Sequence, residues 1–236
     1  MATLQPARTT ETESSSIRTR HATIWYSGLR NDLLNGLCIR VDNAVEQVGF
    51  YLRAAAPPEL KVYVSDRPGL PVAYRDSATI VIPAERLPDR AAVVHELTHI
   101  IAGTGQDTGG ILDEGLAVCL QHKFGGPEDR SFPAAGRDLH EETVRLMVRC
   151  DLSFPLALTA HMRRQIKRGP KRTLAYLYNG SFTQFLIDTY GIDAVMRVYR
   201  GTSSSTEAFG CDMEVLEQNW RLLLSLVKDR MLGQAQ

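Results

Sequence analysis

Two histidines four residues apart, with a glutamate between them, form the stretch of this sequence best suited to chemistry: His95-Glu96-Leu97-Thr98-His99. On an α-helix, residues four apart lie one above the other, so His95 and His99 can direct two imidazoles at one metal ion. Glu96 lies at the flank of that face, where it can reach a water molecule without binding the metal. A catalytic zinc ion takes three protein ligands and one open position, so a third ligand must come from elsewhere.

Glu114 is the predicted third ligand. The segment beginning near Ile111 predicts a second helix, and Glu114 lies in its first turn. The residues after His99 suffice to end one helix, turn and begin another that packs alongside. A carboxylate at this place completes a His-His-Glu set with one position left for water. The neighbouring Asp113 either orients a histidine from behind or is an ordinary exposed acid at a helix start.

The helix that carries the two histidines is predicted to be central to the fold. Asp89 is a suitable N-cap, and Gly103 is a suitable stop. The histidines are surrounded by apolar side chains, which indicates burial on several sides. These are Val93, Val94, Leu97, Ile100 and Ile101. The residues 104–110 that follow contain three glycines and predict a flexible loop beside the site.

Upstream of this helix, the pattern predicts strands at 21–26, 60–65 and 78–82 and a long helix at 29–56. Pro83 suggests that the third strand lies at a sheet edge. Such an edge beside a metal either pairs with an extended peptide or is simply a sheet border. Downstream, helices are predicted at 173–190 and 213–231.

The paired motifs His95-Glu-Leu-Thr-His99 and Glu114-Gly115-Leu116-Ala117 resemble those of the gluzincins, a class of zinc metallopeptidases. The short interval between them is most similar to the small bacterial peptidase MA-like domains. The resemblance implies His95, His99 and Glu114 as zinc ligands and Glu96 as general base. It also implies a zincin-like α+β fold, with a small mixed sheet, an active-site helix and a mostly helical C-terminal part.

Related classes are excluded or left open by particular residues. A metzincin would need glycine and histidine where this chain has Ala102 and Gly105, so that class is excluded. Aminopeptidase relatives carry a glutamate that holds the free amine of the substrate, and the corresponding region 76–80 has none. The choice between endopeptidase and exopeptidase therefore stays open.

The resemblance also implies a donor from the C-terminal part that stabilises the oxyanion of the transition state. In related aminopeptidases this donor is a tyrosine three residues before a glycine, and counting back from Gly180 reaches Leu177, with Tyr176 and Tyr178 on either side. A packing role on the predicted helix explains either tyrosine slightly better. Tyr178 is the residue that we predict for this catalytic role.

Composition limits the other function classes. The chain has 236 residues, with 27 Lys and Arg balanced by 27 Asp and Glu, so no global charge argues for nucleic acid or an anionic membrane. No apolar stretch is long enough to cross a membrane. The four cysteines show no paired spacing, which predicts reduced thiols and a cytoplasmic location. We expect a disordered tail at 1–16 and one domain at 17–236, with sheet and zinc helices to about residue 125 and a helical lobe from about residue 126.

One local charge cluster stands out against this balance. It runs from Arg163 to Arg172 and includes Arg164, Lys167, Arg168 and Lys171. Such a cluster selects acidic substrates, contacts nucleic acid or forms a solvated helix face, and the last is the most common. We predict a peptide or protein substrate, and nucleic acid is not an expected partner.

Taken together, the sequence predicts a zinc metallopeptidase, a hydrolase in which Glu96 activates a metal-bound water for attack on a peptide bond. The alternative is a zinc-bound but inactive domain of the same fold that holds a peptide or regulates another protein. An intact Glu96 favours the enzyme, since a purely binding domain has no need of it.

Overall fold

The computed structural model describes residues 15–105, 110–126 and 138–233. In these ranges it shows an α+β protein with one small mixed sheet, as predicted. The strands are β1 (Ser15–Arg18), β2 (Ala22–Tyr26), β3 (Leu60–Ser65), β4 (Val72–Tyr74) and β5 (Thr79–Pro83). The helices are α1 (Asn31–Leu52), α2 (Arg90–Ala102), α3 (Ile111–Phe124), α4 (Leu139–Cys150), α5 (Thr159–Gln165), α6 (Pro170–Tyr190), α7 (Ile192–Tyr199), α8 (Ser205–Phe209) and α9 (Met213–Gly233).

The sheet has the strand order β1-β2-β3-β5-β4, with parallel pairing of β2, β3 and β5 and antiparallel strands at both edges. Ile24, Val62 and Ile80 lie in register across the three central strands and are fully buried. Helix α1 connects the parallel strands β2 and β3, as such a crossover requires. Its apolar stripe joins the same core as these three side chains.

The prediction that the strand at 78–82 forms an edge is wrong. That strand, β5, pairs with β3 on one side and with β4 on the other. The short strand β4 is the true edge. The chain turns at 66–69, and residues 72–74 then return antiparallel to β5. Pro83 is compatible with an internal strand because it is the last residue of β5.

Helix α2 is the central helix of the fold. The Asp89 carboxylate caps it by accepting from the Ala92 amide at 3.2 Å, and the helix ends at Gly103, whose φ is 78°. Both predicted boundaries are confirmed. Nearly every residue of α2 is buried, because the helix packs against α1, α3 and the β4–β5 edge of the sheet. The two histidines and Glu96 therefore lie on an enclosed element.

The predicted N-terminal tail can be compared with the structure only at its end. Residues 1–14 lie outside the described residues, while Ser15 and Ser16 already belong to β1. The predicted loop at 104–110 is described only at 104–105 and 110. Within the described ranges, no helix has the length and hydropathy that a membrane crossing requires.

The C-terminal helices are joined by a buried polar contact around Ser181 of α6. The indole nitrogen of Trp220 (α9) donates to the Ser181 hydroxyl at 2.9 Å, and that hydroxyl lies 2.8 Å from Nδ1 of His140 (α4). Burial lowers the pKa of His140, so its neutral ring can accept from the serine. The Ser181 hydroxyl thus forms hydrogen bonds with two buried groups, one on α4 and one on α9.

Replacing Ser181 by alanine is expected to destabilise the protein by about 2–4 kcal/mol, because two buried polar groups lose their partner at once. For a chain of this size, this corresponds to a melting temperature lower by roughly 4–16 °C. Thermal and urea unfolding measure the loss. Ser225→Ala, on the exposed side of α9, is the matched control and should change stability by less than about 0.5 kcal/mol. Equal stability of the two variants would contradict the structural role of Ser181.

Candidate metal centre

The structure brings His95, His99 and Glu114 together. One potential ligand atom from each residue lies within 4.8 Å of the other two. Nε2 of His95 and Oε2 of Glu114 lie 3.6 Å apart. The two histidines come from α2 and the glutamate from the first turn of α3, the arrangement predicted from the sequence.

The three residues fit a zinc ion. Two ligand atoms at zinc-bonding distance in a tetrahedron stand about 3.4 Å apart, close to the His95–Glu114 separation. Oε2 of Glu114 is buried and has no hydrogen-bond partner in the described part of the chain. A buried carboxylate oxygen without a partner is costly, and a cation at this place would satisfy it.

A hydrogen bond orients the ring of His95. Its Nδ1 lies 2.9 Å from the side-chain oxygen of Gln121, a buried residue of α3. Because that oxygen can only accept, Nδ1 carries the proton and Nε2 keeps its lone pair. The lone pair is on the side of Glu114, as a metal ligand requires.

His99 is oriented by Asp113, the possibility that the sequence left open. Nδ1 of His99 lies 3.2 Å from the Asp113 carboxylate and 2.9 Å from the Arg75 guanidinium. In the tautomer with its proton on Nδ1, the ring donates to Asp113 and Nε2 is left to bind a metal. Arg75 follows β4 and donates both to Asp113 and to the His99 main-chain oxygen. The single hydroxyl proton of Tyr199 lies between two acceptors, the Gly103 carbonyl at 2.7 Å and the Asp113 carboxylate at 3.0 Å.

The electrostatic surroundings keep both members of this pair in the required state. Burial lowers the pKa of His99, although the Asp113 hydrogen bond opposes this effect, so the ring is neutral at pH 7 and able to bind a metal. Burial by itself raises the pKa of Asp113, but the His99 hydrogen bond, the charge that His99 carries at the acidic pH where Asp113 titrates, and the charge of Arg75 outweigh it. The net result is a pKa of about 2, so Asp113 is ionised at neutral pH.

The third ligand also has a neighbour from another element. The guanidinium of Arg163, on α5, lies 3.6 Å from Oε1 of Glu114. The same group donates at 3.1 Å to the carbonyl of Gly110, the residue at the start of α3. Arg163 is therefore directed at the oxygen of Glu114 opposite the one that faces His95, and it links the helical lobe to the ligand.

Glu96 lies on α2 beside the two ligands and is 8% exposed. Its carboxylate makes no hydrogen bond or ion pair with any described residue, in contrast to Asp113 and Glu114. A carboxylate with free lone pairs in an enclosed site is suited to taking a proton from water.

Tyr178 is not brought to this group of residues. Its ring is fully buried, with centroids 4.8 Å from Phe154 and 5.1 Å from Trp220, in an aromatic cluster of the helical lobe. Its hydroxyl is buried and has no partner in the described ranges, so it cannot reach a substrate in an open site. Tyr176 lies nearer, since its ring stacks between Arg163 and Arg172, and Arg172 donates to its hydroxyl.

Several residues around the ligands were not found from the sequence. Gln121 had a usable signal, because it lies seven residues after Glu114 and therefore on the same face of α3. Arg75, Tyr199 and Arg163 had none, because each reaches the site from a distant element.

Comparison with known proteins assigns no family to this chain, so a function has to be argued from the site. No model of a known protein family matches the chain, and no curated protein is significantly similar to it.

Proposed function

We propose that this protein is a zinc-dependent peptidase with a zincin-like fold of the gluzincin type. The observation that carries the proposal is the convergence of His95, His99 and Glu114 from two helices, with the buried Oε2 of Glu114 lacking any other partner among the described residues. Gln121 and Asp113 support it, because each offers an acceptor to Nδ1 of a histidine, and a neutral ring that donates there keeps Nε2 for a metal.

Each residue of the site has a separate role in the proposed reaction. His95, His99 and Glu114 would hold the ion. When bound, zinc lowers the pKa of a coordinated water to about 7 and polarises a carbonyl. Glu96 would take the proton of the attacking water and return it to the leaving amine.

The edge strand β4 supports a peptide as substrate. Val72 and Tyr74 of this strand are exposed, and its outer side pairs with no described strand. Arg75 follows β4 directly and donates to the main chain of His99, so β4 lies beside the candidate metal centre. An extended peptide that pairs with this edge would pass the site.

The test is metal content and metal-dependent cleavage. The purified protein should bind one zinc per chain and cleave members of a diverse peptide library, with products identified by mass spectrometry. Removing the metal with 1,10-phenanthroline should abolish cleavage, and one equivalent of zinc should restore it. His95→Ala and Glu114→Ala should bind zinc far more weakly. Cleavage by the metal-free protein would reject the proposal, and peptide binding without cleavage would favour the inactive domain.

A further inference from the structure

The segment 163–172, here called the basic segment, has an unusual charge environment. Between residues 152 and 187 the chain contains no Asp or Glu, although charges balance over the whole protein. All the Lys and Arg residues of that stretch lie in the basic segment. They are Arg163, Arg164, Lys167, Arg168, Lys171 and Arg172, six in all. The positive charge here is therefore not neutralised by neighbours in sequence.

Two of the six cations point inward and fix the segment in place. Arg172 donates to the carbonyls of Arg163 and Ile166, which holds the connection between α5 and α6. The guanidinium groups of Arg163 and Arg172 also lie over the ring of Tyr176, at 5.7 and 5.4 Å from its centroid. The backbone of the basic segment is thus tied to α6 and is not a free surface loop.

The inward residue Arg163 also places the segment next to the candidate metal centre. Its guanidinium is 3.6 Å from the Glu114 carboxylate and 3.1 Å from the Gly110 carbonyl. The cations that follow it in sequence therefore begin at the border of the site.

The remaining four cations, Arg164, Lys167, Arg168 and Lys171, are exposed. In the parts of the chain that the structure describes, no carboxylate lies within ion-pair distance of any of them. Four unneutralised charges on an anchored segment create a local positive potential, which attracts an acidic ligand.

We propose that the basic segment binds an acidic stretch of the polypeptide substrate, so that the peptidase prefers substrates with Asp and Glu near the cleaved bond. This inference rests on the proposed function. A polypeptide fits better than a nucleic acid for two reasons. The four charges span only eight residues, too short a track for many phosphates, and the Tyr176 ring is already in contact with the guanidinium groups of Arg163 and Arg172.

Binding is measured by fluorescence anisotropy with two labelled peptides of about twelve residues, one rich in Asp and Glu and one with Asn and Gln instead. The full chain carries Glu96→Gln so that neither peptide is cleaved. At low salt the acidic peptide should bind roughly tenfold more tightly than the neutral one, and the difference should shrink as salt is added. The variant Lys167→Gln/Arg168→Gln/Lys171→Gln should lose this preference.

The matched control removes three exposed cations elsewhere, with Arg149→Gln, Arg197→Gln and Lys228→Gln. This control variant lowers the net charge of the protein by as much as the first triple variant does. It should keep the preference for the acidic peptide. If both triple variants lost the preference for the acidic peptide, net charge alone would explain that preference and the proposal would be overturned.

Two further results would overturn it. One is equal binding of the acidic peptide with and without the three cations of the basic segment. The other is tighter binding of a single-stranded RNA of equal charge that depends on the same cations. Failure of the two proposals can be told apart. Cleavage without preference for acidic peptides rejects the basic-segment proposal alone, whereas acidic-peptide binding by a protein that never cleaves rejects only the peptidase.

Discussion

Replacing Glu96 by glutamine is expected to lower kcat for peptide cleavage by roughly a hundredfold to ten-thousandfold while zinc stays bound. Glutamine keeps the size of the side chain and its ability to form hydrogen bonds but cannot accept a proton from water at neutral pH. The proposed metal ligands His95, His99 and Glu114 are untouched by the change. Its effect should therefore fall on the chemical step and not on the metal.

Three measurements on the purified variant separate these effects. Zinc content and the melting temperature should match the wild type, while the rate of peptide cleavage collapses. Because Glu96 makes no hydrogen bond or ion pair with a described residue, its replacement breaks no structural contact there. Glu59→Gln, an exposed acid before β3, is the control and should leave all three measurements unchanged. Undiminished cleavage by the Glu96→Gln variant would show that another group acts as base.

The sequence predicted that His95, His99 and Glu114 converge because their geometry is local. His95 and His99 are placed by the repeat of one helix, and Glu114 lies in the first turn of the next helix along the chain. Capping by Asp89 and the stop at Gly103 are local in the same sense, and the structure confirms both. Interactions within a few residues can be inferred from residue type and spacing alone.

The residues that orient the ligands could not be predicted in this way. Arg75 reaches His99 from the end of an edge strand, and Tyr199 reaches Asp113 from α7. The sequence carries no periodicity that relates such distant segments. The same limit explains Tyr178, because spacing from Gly180 locates a residue on α6 but does not show which neighbouring helix it faces.

The edge of the sheet shows a different limit. Pro83 correctly predicted the end of a strand, but it could not show that β4 pairs with the outer side of β5. Val72–Tyr74 has only three residues, too short for an alternating pattern to be recognised. Strand order depends on how the chain returns after a turn, which residue types alone do not determine.

Replacing Gly115 by alanine is expected to destabilise the protein by about 3 kcal/mol, although alanine is the better helix former. A Cβ at Gly115 would lie 1.9 Å from Oγ1 of Thr183 and 2.6 Å from the main-chain oxygen of Asn179. Both neighbours belong to α6 and are fully buried, and the second is backbone, so a rotamer change cannot remove the overlap. Helices α3 and α6 must move apart.

The separation should also weaken zinc binding, because Gly115 directly follows the ligand Glu114. A shift of α3 changes the position of that carboxylate relative to His95 and His99 on α2. We expect a melting temperature lower by roughly 6–12 °C, and zinc affinity lower by about tenfold to a hundredfold. Thermal unfolding of the metal-free protein and competition with a zinc chelator measure the two effects independently.

Gly36 of α1 provides the matched control, since it is also a glycine within a helix. A Cβ there would approach only the flexible end of the Arg40 side chain, at 3.1 Å. Gly36→Ala should therefore stabilise the protein by about 0.5–1 kcal/mol through helix propensity and leave zinc affinity unchanged. If the glycine-to-alanine change destabilises the protein at position 115 and stabilises it at position 36, the close approach of α3 and α6 explains the effect at Gly115. Stabilisation by Gly115→Ala would show that these helices tolerate a wider separation and that Glu114 is not held by their packing.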